Sequence, residues 1–307
     1  MSLRLPSFAK VNLGLEVLGL RADGYHELRT IFQTTSLHDD VTLEITRTPG
    51  VTLRCDHPGV PQDGSNLAAQ AALALAKHAG RRDGVAITIE KRIPVAGGLG
   101  GGSSNAATVL IGLDRLWKLG LGIDGLNPLA RRIGADVPFF LYGGTALGLA
   151  RGDEIYPLRR QVRGELVVVD PGRPVSTAAV FRRSDARLTP RENSNTIFRF
   201  VSRDLEADAG FAALSNDLER AALEEAPELR QAVVRIRGIL VREGARLAVL
   251  SGSGSSYFGL FDDAWKARRA GLALRAEGFR VHRCRTLSLD QYRRALRMTG
   301  RLGGRRG

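Results

Sequence analysis

Hydrophobic and polar positions alternate through the first fifty residues, and the alternation predicts strands over 3–8, 11–19, 28–36 and 41–47. The Arg21-Ala22-Asp23-Gly24 segment joins the second strand to the third, because Asp-Gly supplies a tight reversal. Asn66 stands before an alanine-rich run and predicts a capped helix ending near Ala79. Alternation returns over 85–91, which reads as a strand. After a glycine-rich interruption the period lengthens to that of a helix, predicted over 103–119. Helices over 125–133 and from Asp136, then a strand over 145–149, complete the first half.

The polar stretch 150–154 is the best candidate boundary, separating a domain over 1–155 from one over 156–297. The second half opens on an apolar strand at 165–170, a turn-rich segment at 171–175 and a polar region at 182–195. Helices are predicted over 210–225 and 227–243, the latter with a Leu229, Val233, Ile236, Leu240 stripe. Strands at 246–250 and 257–261 flank a serine–glycine segment, and a helix at 263–276 leads to a strand at 280–285. Residues 298–307 read as a basic, disordered tail. The pattern is α+β with two lobes and no internal repeat.

Composition narrows the class. A chain of 307 residues suggests about two domains at roughly 150 residues each. With 43% hydrophobic and 25% charged residues it can build an ordinary core. No run approaches the ~20 apolar residues of a membrane helix, and Lys10 and Glu16 interrupt any secretory leader. Cys55 and Cys284 are far apart and have no metal-ligand spacing, so a cytoplasmic protein without disulfide or zinc is expected. Residues 1–150 carry 15 Lys+Arg against 13 Asp+Glu, whereas 151–307 carry 30 against 19, so most of the net +13 lies in the second half. These cations are not interleaved with aromatic residues, which argues against a nucleic-acid partner and keeps it as an outside reading, while an anionic small-molecule substrate is compatible with the same charge. Only five of the 45 basic residues are lysine, which singles out Lys10 and Lys91 as places where a compact ammonium is wanted.

The candidate chemistry centres on residues 94–107, Pro-Val-Ala-Gly-Gly-Leu-Gly-Gly-Gly-Ser-Ser-Asn-Ala-Ala. Five glycines in the six positions from Gly97 to Gly102 leave backbone N–H groups free to close around an anion. The helix that follows adds its own unpaired N–H groups and positive dipole end. Ser103 and Ser104 offer hydroxyls to Mg²⁺ or a phosphate oxygen. The same composition would also suit a flexible loop with a serine cap. It is not a P-loop, since no Gly-Lys-Ser/Thr follows, and it lacks the third glycine and the acid of a dinucleotide fingerprint. A Gly-x-Ser-x-Gly nucleophile elbow is also missing.

This segment resembles the phosphate loop of the GHMP kinases, as do Ser7-Phe8-Ala9-Lys10-Val11-Asn12-Leu13 and Leu250-Ser251-Gly252-Ser253-Gly254-Ser255-Ser256, which match the other two signatures in order. Residues 21–28, 134–140 and 170–181 resemble the branch that phosphorylates a cytidine-diphosphate-linked methylerythritol in the non-mevalonate isoprenoid pathway. The branch usually has Gly-x-Gly-Glu where this chain reads Arg151-Gly152-Asp153-Glu154, a departure in local loop geometry. The resemblance implies a two-lobed fold, a ribosomal-protein-S5-like N-terminal lobe and a sandwich-like C-terminal one, with the site in the cleft between them. It implies ATP and Mg²⁺ as cofactors, with no metal ligand assigned, and a chain acting as a monomer or weak homodimer.

It further implies Lys10 and Asp136 as the catalytic pair. ATP would be held by Asn66, Lys91, Pro94, Gly97, Gly98, Leu99, Gly100, Gly101, Gly102, Ser103 and Ser104. The cytidyl substrate would meet Asn12, Tyr25, His26, Thr177, Phe181, Gly252, Ser253 and Gly254, with Tyr25 and Phe181 sandwiching the pyrimidine. Bland readings stand beside these: Asp136 and Asn66 as helix caps, Lys10 as a snorkelling strand lysine, His26 as a surface turn residue. Competing functions are a homoserine- or mevalonate-type kinase, an ATP-using decarboxylase of diphosphorylated mevalonate, and a binding protein without catalysis.

Overall fold

A computed structural model describes residues 1–185, 196–202 and 209–297; most of the expected polar region and the tail from 298 lie outside them. Two long antiparallel strands, β1 (Ser2–Leu20) and β2 (His26–Thr46), form the spine. Each replaces two shorter expected strands. The expected breaks fell on polar positions near Lys10 and Asp39. The chain runs on through both because each polar group is hydrogen-bonded where it stands, and a register shift between Phe8 and Lys10 absorbs the offset.

The first lobe continues with β3 (Val51–Cys55), α1 (Leu67–His78), β4 (Gly84–Glu90), α2 (Gly101–Leu116), α3 (Gly122–Ile133), α4 (Phe139–Tyr142), β5 (Thr145–Leu149) and β6 (Glu154–Pro157). Its sheet runs β3-β4-β2-β5-β6, with β1 paired along β2. Leu5, Leu43, Ile87 and Leu110 are buried in its core with the apolar faces of α1 and α2. Asn66 caps α1 as expected, its side-chain oxygen accepting the Ala68 N–H at 2.9 Å.

The second lobe is built from β7 (Glu165–Asp170), α5 (Thr177–Asp185), α6 (Thr196–Ser202), α7 (Ala209–Ala212), α8 (Leu218–Glu225), α9 (Arg230–Arg242), β8 (Leu247–Leu250), β9 (Tyr257–Phe261), α10 (Ala264–Ala276) and β10 (Arg280–Arg285), followed by α11 (Leu289–Ala295). Its antiparallel sheet runs β10-β7-β9-β8. β1 joins the lobes through the strand's period of two: Ala9, Val11 and Leu13 pack with Val168, Phe258 and Leu260, which leaves Lys10 and Asn12 on the opposite face.

Three expectations are corrected. The boundary expected at 150–154 falls inside the first lobe: residues 150–153 are the turn of the β5–β6 hairpin and Glu154 begins β6, so the first lobe extends past 155 to Pro157. The segment's polarity reflects a turn with a buried ion pair. Nor does the second domain keep the chain to 297, because Leu287, Tyr292 and Leu296 return to the first lobe's core. The helix expected over 210–225 is split into α7 and α8. Between them Ser215 accepts the Leu15 N–H at 2.9 Å and Asp217 N–H donates to Leu15 at 2.9 Å, so pairing with β1 displaces helical bonding.

The α11 contact also fixes the segment that carries Asp136. The buried Tyr292 hydroxyl donates to the Phe140 carbonyl, and its ring lies 5.6 Å from Phe8. Gly143, at φ 74°, lets this ring approach so closely that an added Cβ would stand 2.1 Å from Tyr292 Cδ1. Gly143→Ala is therefore expected to lower Tm by roughly 5–10 °C, reflecting about 3 kcal/mol of overpacking and backbone strain. An unchanged melting curve by calorimetry would contradict this packing.

Candidate active site

The three glycine- and serine-bearing segments meet in one cleft of about 530 Å³, walled by both lobes. The loop 94–100 leads into α2, which starts at Gly101, two residues before the serine start expected. Its N-cap is Gly100 in a left-handed conformation, with no side chain bonded to the first turn. The leading N–H groups of α2 therefore face the cleft without a side-chain partner, an arrangement suited to a phosphate. Gly98 is required on two counts. It has φ +73°, and an added Cβ would lie 2.0 Å from the Ser251 carbonyl oxygen.

The third segment backs directly onto this loop. Ser251 Oγ donates to the Gly98 carbonyl at 2.9 Å, and Ser256 N–H donates to the Gly97 carbonyl at 3.2 Å. Gly252 and Ser253 line the cleft, whereas Gly254 turns its N–H to the Ser251 carbonyl at 3.0 Å and is not part of the wall. Thr177, at the start of α5, reaches Ser253 with its hydroxyl at 2.8 Å.

Lys10 lies at the centre. Its ammonium is almost fully buried, donating to Asn12 Oδ1 at 2.6 Å and the Gly98 carbonyl at 3.0 Å, and standing 3.4 Å from Asp136 Oδ2. The snorkelling reading is excluded, since the charge does not reach bulk water. Asp136 is one-third exposed to the cleft, and the cap of α4 is Pro138, so its helix-cap reading fails as well. Asn12 passes the network on, donating to Thr30 Oγ1 at 2.8 Å.

The remaining expected residues divide. Pro94, Gly97, Gly98, Leu99, Gly100, Gly101, Gly102 and Ser103 all line the cleft, although the Leu99 side chain is buried in the inter-lobe core. Ser104 does not. It is buried and accepts from the Ser7 hydroxyl at 2.8 Å, one helical position round from Ser103, so it lies off the cleft wall and away from a metal or phosphate there. Asn66 borders the cleft, but both ends of its amide are engaged, with Ala68 N–H and with the Pro61 carbonyl. Lys91 lines the cleft and is paired with Asp39 at 2.6 Å.

The expected pyrimidine sandwich takes another form. Phe181 is on the cleft wall, but its ring is paired with His26 at 4.9 Å, and His26 is buried, not a surface residue. Tyr25 is exposed at the rim, outside the wall, with the Arg151 guanidinium 4.7 Å over its ring. Arg151 occupies this place because Asp153, fully buried, accepts from it at 2.7 Å and from Arg131 at 3.1 Å. The departure from the Gly-x-Gly-Glu pattern is accommodated next to it: Ala150 adopts φ 57°, the left-handed region that glycine fills more easily.

Sequence reasoning missed Asp39, Asn216 and Arg151. Asn216 Nδ2 donates to the carbonyls of Leu250 at 3.0 Å and Gly252 at 2.7 Å, holding the third segment to β1. Its place before an apolar helical run was the available signal, read only as part of a longer helix. A larger hollow of about 940 Å³ between α8, α9 and β8 carries none of the motifs. Its Glu219 and Arg237 are paired with each other at 2.7 Å. Among the described residues no three His, Cys, Asp or Glu side chains gather as a metal site, and no helix is long and apolar enough to cross a membrane.

Comparison with known proteins agrees with this geometry. Profiles described as the GHMP kinases N terminal domain and the GHMP kinases C terminal match residues 66–144 and 204–280. The 4-diphosphocytidyl-2-C-methyl-D-erythritol kinase of Geobacter metallireducens is 45% identical over 269 residues, covering 88% of this chain and 92% of its own. A crystal structure of a 4-(cytidine 5'-diphospho)-2C-methyl-D-erythritol kinase superposes with TM-score 0.74 at 37% identity, over 92% of this chain and 99% of that one. The homoserine kinase of Cytophaga hutchinsonii gives TM-score 0.73 at 17% identity over 94% of this chain and 95% of its own, a likeness of fold.

Burial alone would push the Asp153 carboxyl up, but hydrogen bonds and charge from Arg151 and Arg131 outweigh it and hold the pKa below the ordinary value. A pKa lower in the folded than in the unfolded protein stabilises the fold above the unfolded value, and that contribution is lost as pH falls through the folded one. The Tm difference between the wild type and Asp153→Asn is thus expected to be full above about pH 5 and to close below about pH 3.9. A gap independent of pH, by scanning calorimetry, would contradict the assignment.

Proposed function

The chain belongs to the family of 4-diphosphocytidyl-2-C-methyl-D-erythritol kinases within the GHMP kinases, and we propose that it uses ATP to phosphorylate the 2-hydroxyl of 4-diphosphocytidyl-2-C-methyl-D-erythritol. The observation that carries the reading is the buried Lys10 ammonium, placed between Asp136 and the phosphate loop. Phosphoryl transfer asks for in-line positioning, neutralised charge and an acceptor for the hydroxyl proton, and this arrangement offers all three.

In the proposed reaction the loop 97–100 and the first turn of α2 hold the nucleotide phosphates by backbone N–H groups. The substrate hydroxyl lies between Asp136 and Lys10. Its oxygen bonds to the γ-phosphorus as the bond from that phosphorus to the bridging oxygen breaks, releasing ADP, and its proton passes to the Asp136 carboxylate. The Lys10 ammonium, 3.4 Å from Asp136 Oδ2, steadies the charge that develops on the attacking oxygen. Phe181 and Tyr25 offer ring faces to the cytosine, each stack contributing about 1–3 kcal/mol, and His26 offers polar edges.

Mg²⁺ would be carried chiefly by the phosphates of ATP and by water, with Ser103, on the cleft wall in the first turn of α2, offering it a hydroxyl. It would offset the phosphate charge. The free cysteines and the absence of a membrane-crossing helix among the described residues are compatible with a cytoplasmic enzyme, which we take it to be, working as a monomer or weak homodimer.

Asp136→Asn and Lys10→Met are each expected to lower kcat by about 10²–10⁴-fold in a coupled ADP-release assay, with the fold retained. Turnover within a few-fold of the wild type in either variant would remove that residue from the catalytic pair.

A further inference from the structure

We propose that Asp39 is a positioning residue for the nucleotide: it holds the Lys91 ammonium against the first turn of α2 and closes the phosphate loop at both ends. This rests on the reading of the loop as an ATP site. Asp39 projects from β2 with a fully buried side chain, and such a carboxylate is costly unless its oxygens are saturated. They are. Oδ1 accepts the N–H groups of Arg92 at 2.8 Å and Ile93 at 2.9 Å, while Oδ2 accepts Lys91 Nζ at 2.6 Å and Asn105 Nδ2 at 3.0 Å.

The placement of the four donors is what matters. Three belong to residues 91–93, immediately before the glycine loop, and the fourth to Asn105, one turn into the helix that follows it. A single carboxylate thus ties the entry of the loop to its exit. Asn105 also donates to Ser7 Oγ at 2.9 Å, so the tie extends to the strand that carries Lys10.

The pair is not confined to the core. Lys91 is on the cleft wall, and its Nζ lies 3.0 Å from where a Cβ on Gly101, the first residue of α2, would stand. The ammonium therefore occupies the space beside the helix N-terminus, adding a fixed positive charge where a phosphate is to bind. A chain that uses arginine for 40 of its 45 basic residues has lysine here. A compact ammonium can meet Asp39 at 2.6 Å and still stand beside Gly101, as a point charge rather than a planar fork. A pair that only stabilised the fold would have no need of the cleft wall or of a bare α-carbon beside it.

The test is calorimetric titration of the unreactive analogue AMP-PNP with Mg²⁺ into the wild type, Asp39→Asn, Lys91→Met and the double variant, with steady-state kinetics alongside. Asp39→Asn is expected to weaken nucleotide binding at least about 10-fold and to raise KM for ATP equally, leaving kcat at saturating ATP within about 3-fold. The double variant should bind no more weakly than Lys91→Met, because Asp39 acts through the lysine. An Asp39→Asn protein that binds within about 2-fold of the wild type would overturn the proposal, as would losses that multiply in the double variant. Should Asp39→Asn fail to fold, the double variant, which buries no unpaired charge, decides alone, and wild-type affinity there would overturn it. No acceptor alcohol is present in the titration, so a mistaken acceptor leaves the test intact, whereas a wild type that binds no nucleotide removes the ATP site itself and the proposal with it.

Discussion

The ammonium of Lys10 is the constraint around which the rest of the structure is arranged. A charge that is 97% removed from water is tolerated only with close partners, and here the partners come from three separate parts of the chain. Asn12 supplies one oxygen from the same strand, Gly98 supplies a loop carbonyl, and Asp136 supplies the counter-charge. The buried charge therefore makes β1, the glycine loop and the turn before α4 a single unit.

Around that unit, backbone approaches backbone. The Ser251 carbonyl lies so near Gly98 that no side chain fits between them, and Asn216 fastens the same segment to β1 through the Leu250 and Gly252 carbonyls. On the far side Tyr292 braces the Phe140 carbonyl, and the Phe140 ring in turn fills the space a Cβ on Gly100 would need. The last helix of the chain thus supports the first lobe's site. Function is spread over contacts of long sequence separation, which is why an account by consecutive domains fails here.

Legibility followed the same division. The loop and its two companion segments could be read directly, because close backbone approach demands glycine and glycine is visible as a letter. Lys10 stood out by its rarity among arginines. What could not be read was how a polar group would be satisfied by residues far away. Asp39 looked like a strand break, yet its partners lie 52 to 66 residues further on. Asp136 followed by a proline looked like a cap, although the helix begins after Pro138. Ser103 and Ser104 are neighbours in sequence but face a cleft and a core, a distinction set by where α2 begins. The pairing of Phe181 with His26 joins residues far apart in the chain, and that of Tyr25 with Arg151 depends on the buried Asp153; neither had a local signal.

The central claim is that this cleft transfers phosphate from ATP to a cytidyl-diphosphate-linked alcohol. Its most direct test is the rate of ADP release with 4-diphosphocytidyl-2-C-methyl-D-erythritol, set against mevalonate and homoserine under the same conditions. The account predicts turnover with the first, matched by one equivalent of phosphorylated product, and background rates with the other two. Turnover of mevalonate or homoserine at a comparable rate, or none with the cytidyl compound, would contradict it.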